Sequence, residues 1–282
     1  MAEIYLRYPG GRFKAFTMSY DDGVEYDRRL IGIMRENGLC GTFNINSGLF
    51  APEGSVCPEG TINRRLTASQ ASETYRGEGI EVAVHGYAHP FLESLPTATM
   101  LTELLRDRAE LEKMFGCIIR GAALPYGTCN DEIREALKLC GFSYCRGVGA
   151  TLGFALPDER LPFTPTMHHS HPALAEKTDF FVDLKASKRP LLFYLWGHSY
   201  EFGYGKGQNS WEAITGFCQR IGGHDDIWYA TNGEIFDYTD AYRQLRVSLD
   251  GKILSNPTAT TLYLSADGKP LSVAPGETIR LA

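Results

Sequence analysis

"KAFTMSYDDGVEYDRRLIGIMRENG", residues 14–38, sets a pattern that the rest of the chain repeats. Lys14 to Tyr20 form a short apolar and aromatic run of strand length. Asp21, Asp22 and Gly23 end it abruptly. Residues 26–38 then place Leu30, Ile31 and Met34 at helical spacing ahead of a glycine stop at Gly38. The same alternation predicts strands at 41–47, 80–84, 118–124, 142–148, 191–196 and 226–231, with helices over 97–116 and 130–141 that each close on glycine. Strand and helix alternating this often imply a parallel sheet, open or closed into a barrel. After about residue 240 the texture changes. Period-two alternation and two Asp-Gly turn signals predict a small antiparallel β segment, a binding or packing module.

Composition narrows the function classes. The 282 residues are 43% hydrophobic and 22% charged, an ordinary balance for a globular chain with a substantial core. A formal charge of -6 argues against a general nucleic-acid binder, which needs a basic face to displace counterions. No apolar run approaches the length of a membrane span, and the first residues lack the pattern of a secretory signal. The seven cysteines, an odd number without a CxxC pair, read as reduced thiols, so the expected location is cytoplasmic.

In a parallel sheet of this kind, chemistry gathers where the strands end. Asp21 and Asp22 end the first long strand, His85 and His89 follow "IEVAV", Pro125-Tyr126-Gly127 follow "IIRGAAL", and His198 follows "LLFYLW". Two adjacent carboxylates repel each other unless a cation lies close. The spacing "HGYAH" lets His85 and His89 point the same way from a helical turn or a tight loop. Two imidazoles and one carboxylate form a common ligand set for a catalytic divalent ion. If Asp22 is that carboxylate, Asp21 is free to act as a base toward an activated water. This set suits zinc, and cobalt, nickel, manganese or iron are also compatible. Each piece alone has a plainer explanation: DDG also suits a turn or helix cap, and an HxxxH also suits a surface pair.

Taken together and in order, "TMSYDDG", "HGYAH", "LPYG" and the late histidine resemble the polysaccharide deacetylase (NodB-homology, carbohydrate esterase family 4) superfamily over residues 12–235. The resemblance implies an α/β fold: an irregular (β/α) barrel of about seven parallel strands in residues 1–240, followed by the β-rich appendage in 241–282. It makes Asp21 the catalytic base, Asp22, His85 and His89 the metal ligands, and His198 the acid that protonates the leaving amine. Tyr126 would offer its backbone N–H to the oxyanion. Two departures stand out. The family's arginine three residues before the tyrosine is Ala123 here, so Arg146 in "FSYCRGV" is the candidate to supply the missing guanidinium. An aspartate that tunes the acid histidine has only Asp183 as a weak candidate. Of His168, His169 and His171, one is expected to line the cleft, with His169 chosen ahead of a solvated loop or a second metal site, and Trp196 is expected beside the substrate. The glycine-rich 203–211 stretch reads as a flexible loop.

The leading expectation is a metal-dependent deacetylase of N-acetylated amino sugars or oligosaccharides. A small cyclic imide or amide could be the substrate instead. A non-catalytic carbohydrate-binding protein on the same scaffold is the third reading. The partner is then a carbohydrate or a small molecule, with no nucleic acid and no membrane.

Overall fold

The computed structural model describes residues 3–281. Its strands are β1 (Ile4–Arg7), β2 (Lys14–Asp21), β3 (Gly41–Ile45), β4 (Ile80–Val84), β5 (Gly121–Ala123), β6 (Tyr144–Arg146), β7 (Met167–His168), β8 (Leu191–Gly197), β9 (Ile227–Tyr229), β10 (Arg246–Val247), β11 (Ile253–Ser255), β12 (Leu262–Ala266), β13 (Lys269–Val273) and β14 (Thr278–Arg280). Its helices are α1 (Asp27–Glu36), α2 (Ala68–Thr74), α3 (Thr97–Phe115), α4 (Asp131–Leu139), α5 (Leu174–Asp183), α6 (Glu201–Tyr204), α7 (Trp211–Ile221) and α8 (Asn232–Arg243). One parallel sheet runs β6-β5-β4-β3-β2-β8-β7, and β9 pairs with β2 off that path. The sheet curls into a half-barrel. The chain between β6 and β7 spans the remaining gap, because Phe163 N donates to Cys145 O (3.0 Å) while Thr166 N donates to Tyr194 O (3.1 Å). This is the irregular barrel of about seven strands that the family resemblance implied. The stretch 203–211, expected as a loop, instead holds the end of α6, a short 3-10 turn and the start of α7.

β2 explains why this barrel can carry a site. All eight of its residues are buried, and its two faces differ in chemistry. Phe16, Met18 and Tyr20 pack with Leu30, Ile31 and Met34 of α1 and with Ile214 and Phe217 of α7 in one apolar cluster. The alternate positions carry Thr17, Ser19 and Asp21, whose side chains turn toward hydrogen-bonding partners instead. Thr17 Oγ1 donates to Asn232 Oδ1 (2.9 Å), Asn44 Nδ2 donates to Ser19 Oγ (2.9 Å), and Asn232 Nδ2 donates to Tyr194 OH (2.6 Å). A buried hydroxyl or amide without a partner costs about 1–3 kcal/mol, and pairing spares this column most of that cost, although Asn44 Oδ1 is buried without a partner. At the start of β2, on the apolar face, buried Lys14 donates to the carbonyls of Phe181, Val182 and Leu184 at 3.0–3.2 Å, closing the C-terminus of α5 where a cation is favoured.

The remaining strands form two antiparallel sheets, β1-β12-β13 and β10-β11-β14. Asp267 and Gly268, both at positive φ (48° and 80°), make the two-residue turn between β12 and β13, as the Asp-Gly signal predicted. Helix α8 runs through residue 240, and Tyr242 and Leu245 pack against Leu254 and Leu264 of the tail. All seven cysteines are free, and among the described residues no helix is long and apolar enough to cross a membrane.

Gly121 on β5 makes a sharp test of this packing. A Cβ there would overlap the hydroxyl of Tyr144, which donates to Glu81 Oε1 (2.8 Å). We expect Gly121→Ala to lower stability by about 1–3 kcal/mol through overpacking. Urea unfolding followed by circular dichroism measures this, and an unchanged midpoint would contradict it.

Candidate active site

Six elements deliver polar side chains to the C-terminal mouth of the barrel. Asp21 is the last residue of β2. Asp22 follows at φ 87°, His89 closes the loop after β4 at φ 53°, and Tyr126 stands at φ 58° after β5. Left-handed conformations in non-glycine residues are costly, and holding three of them around one cleft takes a structure that fixes them from several sides. The cleft, about 340 Å³, is lined by Asp21, Asp22, His85, His89, Tyr126 and His198, with Trp196 and Tyr200 at its wall.

The HxxxH pair lies on a loop rather than a helix. His85 Nδ1–H donates to the Ala123 carbonyl (2.9 Å), which leaves Nε2 facing the carboxylates. Its backbone N–H donates to Asp107 (3.0 Å), which also accepts from Ser47 N (2.7 Å), so α3 grips the loop. His89 Nε2 lies 3.8 Å from Asp22 Oδ1. Burial lowers the pKa of both imidazoles, His85 against the pull of Asp21 and Asp22, and His89 to about 4 with the help of His85. Neutral imidazoles present lone pairs. One atom each from Asp22, His85 and His89 lies within 4.8 Å of the other two, so this donor set fits a divalent ion.

Asp21 is held separately. Asn44, its register partner on β3, donates to Oδ1 (2.8 Å), and Arg146 donates to Oδ2. Arg146 is the register neighbour of Ala123, so the guanidinium reaches the carboxylate from one strand over. It is fully buried, and its other face lies over the Trp196 ring, 4.6 Å from the centroid. Burial alone would raise the Asp21 carboxyl, but Arg146, His85 and His198 outweigh it and hold the pKa at about 2. Trp196 in turn donates from Nε1 to Gly149 O (3.2 Å), so it braces Arg146 as well as lining the cleft.

His198 faces the same space from β8. Its Nε2 is 3.8 Å from Asp21 Oδ2, and its Nδ1–H donates to Glu201 Oε1 (2.9 Å). Burial would lower the His198 pKa, but Glu201, Asp21 and Asp22 together raise it. The partner of His198 is therefore Glu201, one turn along the same segment. Asp183 is on the exposed side of α5, where Oδ1 accepts from Arg220 (3.1 Å). His169, expected in the cleft, is instead buried beneath it: its ring stacks on Tyr20 at 5.8 Å, and Nε2 lies 3.1 Å from Glu201 Oε2. Alternation along the strand end turns His169 inward, while its neighbour His168 is partly exposed.

Two contributors were not legible in the motifs. Arg65 Nη2 donates to Asp22 Oδ1 (3.0 Å) and Nη1 to Asn46 Oδ1 (2.9 Å), while Asn46 Nδ2 donates to the carbonyls of His85 and Gly86. Arg65 thus links Asp22 to the histidine loop. Its only sequence signal is a basic residue ahead of a capping box, too common to single out. Glu201 could have been found from the i, i+3 spacing to His198, since the two share a turn.

Residues 9–145 match the family model for polysaccharide deacetylase. A chitin deacetylase from Colletotrichum lindemuthianum is 24% identical over 127 residues, 45% of this chain and 47% of that protein. The match thus spans about half the length of this curated relative. Among solved structures, a Mycobacterium smegmatis protein provisionally termed a polysaccharide deacetylase aligns with a TM-score of 0.57 at 18% identity, over 86% of this chain and 96% of that one. A 4-alpha-glucanotransferase from Thermococcus litoralis aligns with a TM-score of 0.58 at 12% identity, over 80% of this chain and 40% of that one. At these identities the likeness is one of fold, and the glucanotransferase shows that the fold alone does not choose the reaction. The family match over residues 9–145 covers the DDG and HxxxH motifs whose side chains meet at the barrel mouth, so this part of the chain is similar to the polysaccharide deacetylases in both sequence and fold.

Proposed function

We propose that this protein is a metal-dependent hydrolase that removes acetyl groups from N-acetylated amino sugars or their oligomers. The observation that carries the reading is the placement of a buried, ionised Asp21 and a Glu201-bound His198 on the same side of one cleft, beside the Asp22, His85 and His89 donor set. The family match and the chitin deacetylase relative support the acyl chemistry and the sugar substrate.

Asp22, His85 and His89 would hold the ion. Zinc fits this donor set best, and when bound it supplies a Lewis acid for the acetyl carbonyl and makes a nearby water more acidic. Asp21 then accepts the proton of the attacking water. Arg146 and Asn44 each occupy one oxygen of this carboxylate, so its orientation and its charge are fixed before substrate arrives. The backbone N–H of Tyr126 stabilises the oxyanion, a contribution of about 3 kcal/mol for a single donor of this kind. His198 delivers a proton from Nε2 to the amine as the C–N bond breaks, and Glu201 holds Nδ1–H so that the ring stays in the productive tautomer.

Three substitutions separate these roles. Asp21→Asn should reduce acetate release from chitooligosaccharides roughly a hundredfold or more while bound zinc stays at the wild-type level. His85→Ala should lose the zinc itself. Metal analysis of the purified variants beside an acetate assay checks both, and normal turnover by Asp21→Asn would overturn the assignment. For Glu201→Gln the sign follows from charge. The Glu201 carboxylate raises the His198 pKa, so removing its charge lets His198 lose its proton at lower pH. The alkaline limb of the kcat/KM profile should move toward acid, and an unmoved limb would exclude Glu201 as the partner of the acid.

A further inference from the structure

Glu201 carries more than His198. The His168 Nε2 is 3.6 Å from Glu201 Oε1, the His198 Nδ1 is 2.9 Å from the same oxygen, and His169 Nε2 is 3.1 Å from Oε2. Three imidazoles around one carboxylate exceed what orienting a single acid requires. His168, His198 and Glu201 each offer one atom within 4.8 Å of the other two, the same closeness as in the Asp22, His85 and His89 group. These are the two such groups among the described residues, and His198 of the second lines the same cleft as the first.

We propose that His168, His198 and Glu201 form a second, weaker divalent-cation site, whose occupation by zinc removes His198 from catalysis. The donors are of the right kind: two nitrogens and one carboxylate oxygen, all partly exposed, so an ion can enter without unfolding anything. The supporting contacts are also in place. His168 Nδ1 lies 2.7 Å from Ser170 Oγ, which turns Nε2 toward Glu201. His169 lies against the far oxygen of Glu201 and leaves Oε1 for the ion. Such outer contacts are what fix the orientation of metal ligands. A zinc ion needs donors about 3.3 Å apart to reach all three at its usual bond lengths, so His168 must approach Glu201 slightly and His198 must draw back from it.

The consequence for catalysis rests on the function proposed above. Glu201 now binds the proton on His198 Nδ1, and zinc would take that position. A metal-bound imidazole keeps one N–H, on Nε2, which is a much weaker acid than the N–H of an imidazolium. His198 could then no longer give up a proton to the leaving amine. The second ion would thus act as an inhibitor, and zinc would activate at low concentration and inhibit at high concentration.

The test begins with metal-free full-length protein titrated with zinc chloride by calorimetry, with acetate release measured along the same titration. Two equivalents should bind, and activity should rise with the first and fall roughly a hundredfold as the second saturates. His168→Gln should bind one equivalent, and its activity, whatever its own level, should not fall in excess zinc. The double variant Asp22→Asn, His85→Ala lacks the first site and should still bind one equivalent, which keeps this proposal separable from the deacetylase reading. Should His168→Gln fail to fold, the wild-type stoichiometry and the double variant decide. A single equivalent in the wild-type protein, or a second one that persists in His168→Gln, would overturn the proposal.

Discussion

The contact on which the site depends is the buried pair between Arg146 and Asp21. Bringing an aspartate and an arginine out of water costs several kcal/mol for each ion, and only good geometry with further hydrogen bonds recovers it. Here Asn44 satisfies the second carboxylate oxygen and Trp196 covers the guanidinium face. Neither charge can be moved alone. The pair therefore fixes the ends of β2 and β6 relative to each other across the half-barrel, and the mouth takes its shape from that constraint. It also explains how the two adjacent aspartates coexist: Asp21 faces a guanidinium inside the barrel, while Asp22 turns through a left-handed conformation toward Arg65 and the histidines.

The interior of the barrel is organised by the same logic. Ser19, Thr17, Asn44 and Asn232 form a polar column beneath Asp21, where a half-barrel of this size could have been filled with aliphatic side chains. Hydrogen bonds link its members in series, and Asn44 carries the chain of contacts up to Asp21 at the catalytic end of the strand. The apolar work is done on the opposite face of β2, against α1 and α7. One strand thus separates stability from chemistry by the alternation of its side chains.

Much of this was legible in the residues. The parallel architecture follows from strands that end in punctuation and helices that end in glycine, and the convergence of Asp21, Asp22, His85, His89 and His198 follows from their positions after strands. What could not be read were contacts that depend on register. Ser19 and Thr17 are common strand residues, and nothing in their types shows that they pair across the barrel. Arg146 was a candidate for the missing guanidinium from its place at a strand end, but its register level with Ala123 on the next strand could not be read. His169 was misplaced because two adjacent histidines at a strand end point to opposite sides, and only the pairing with β8 decides which one turns in. Arg65 sits in a segment with no periodic pattern, so its approach to Asp22 leaves no trace in spacing.

The sheet β1-β12-β13 joins residues nearly the whole chain apart, with Ile4 opposite Ala266. β1 leads directly into the segment before β2, whose far end is Asp21. β1 precedes every strand of the barrel and β12 follows all of them, so this sheet brackets the barrel in the chain. Closing so long a loop costs little more than closing one of half the length, because the entropy grows only as the logarithm of the separation. The tail therefore acts as a latch: it clasps the segment ahead of β2 from beyond the barrel, and so holds at its root the strand that bears the base.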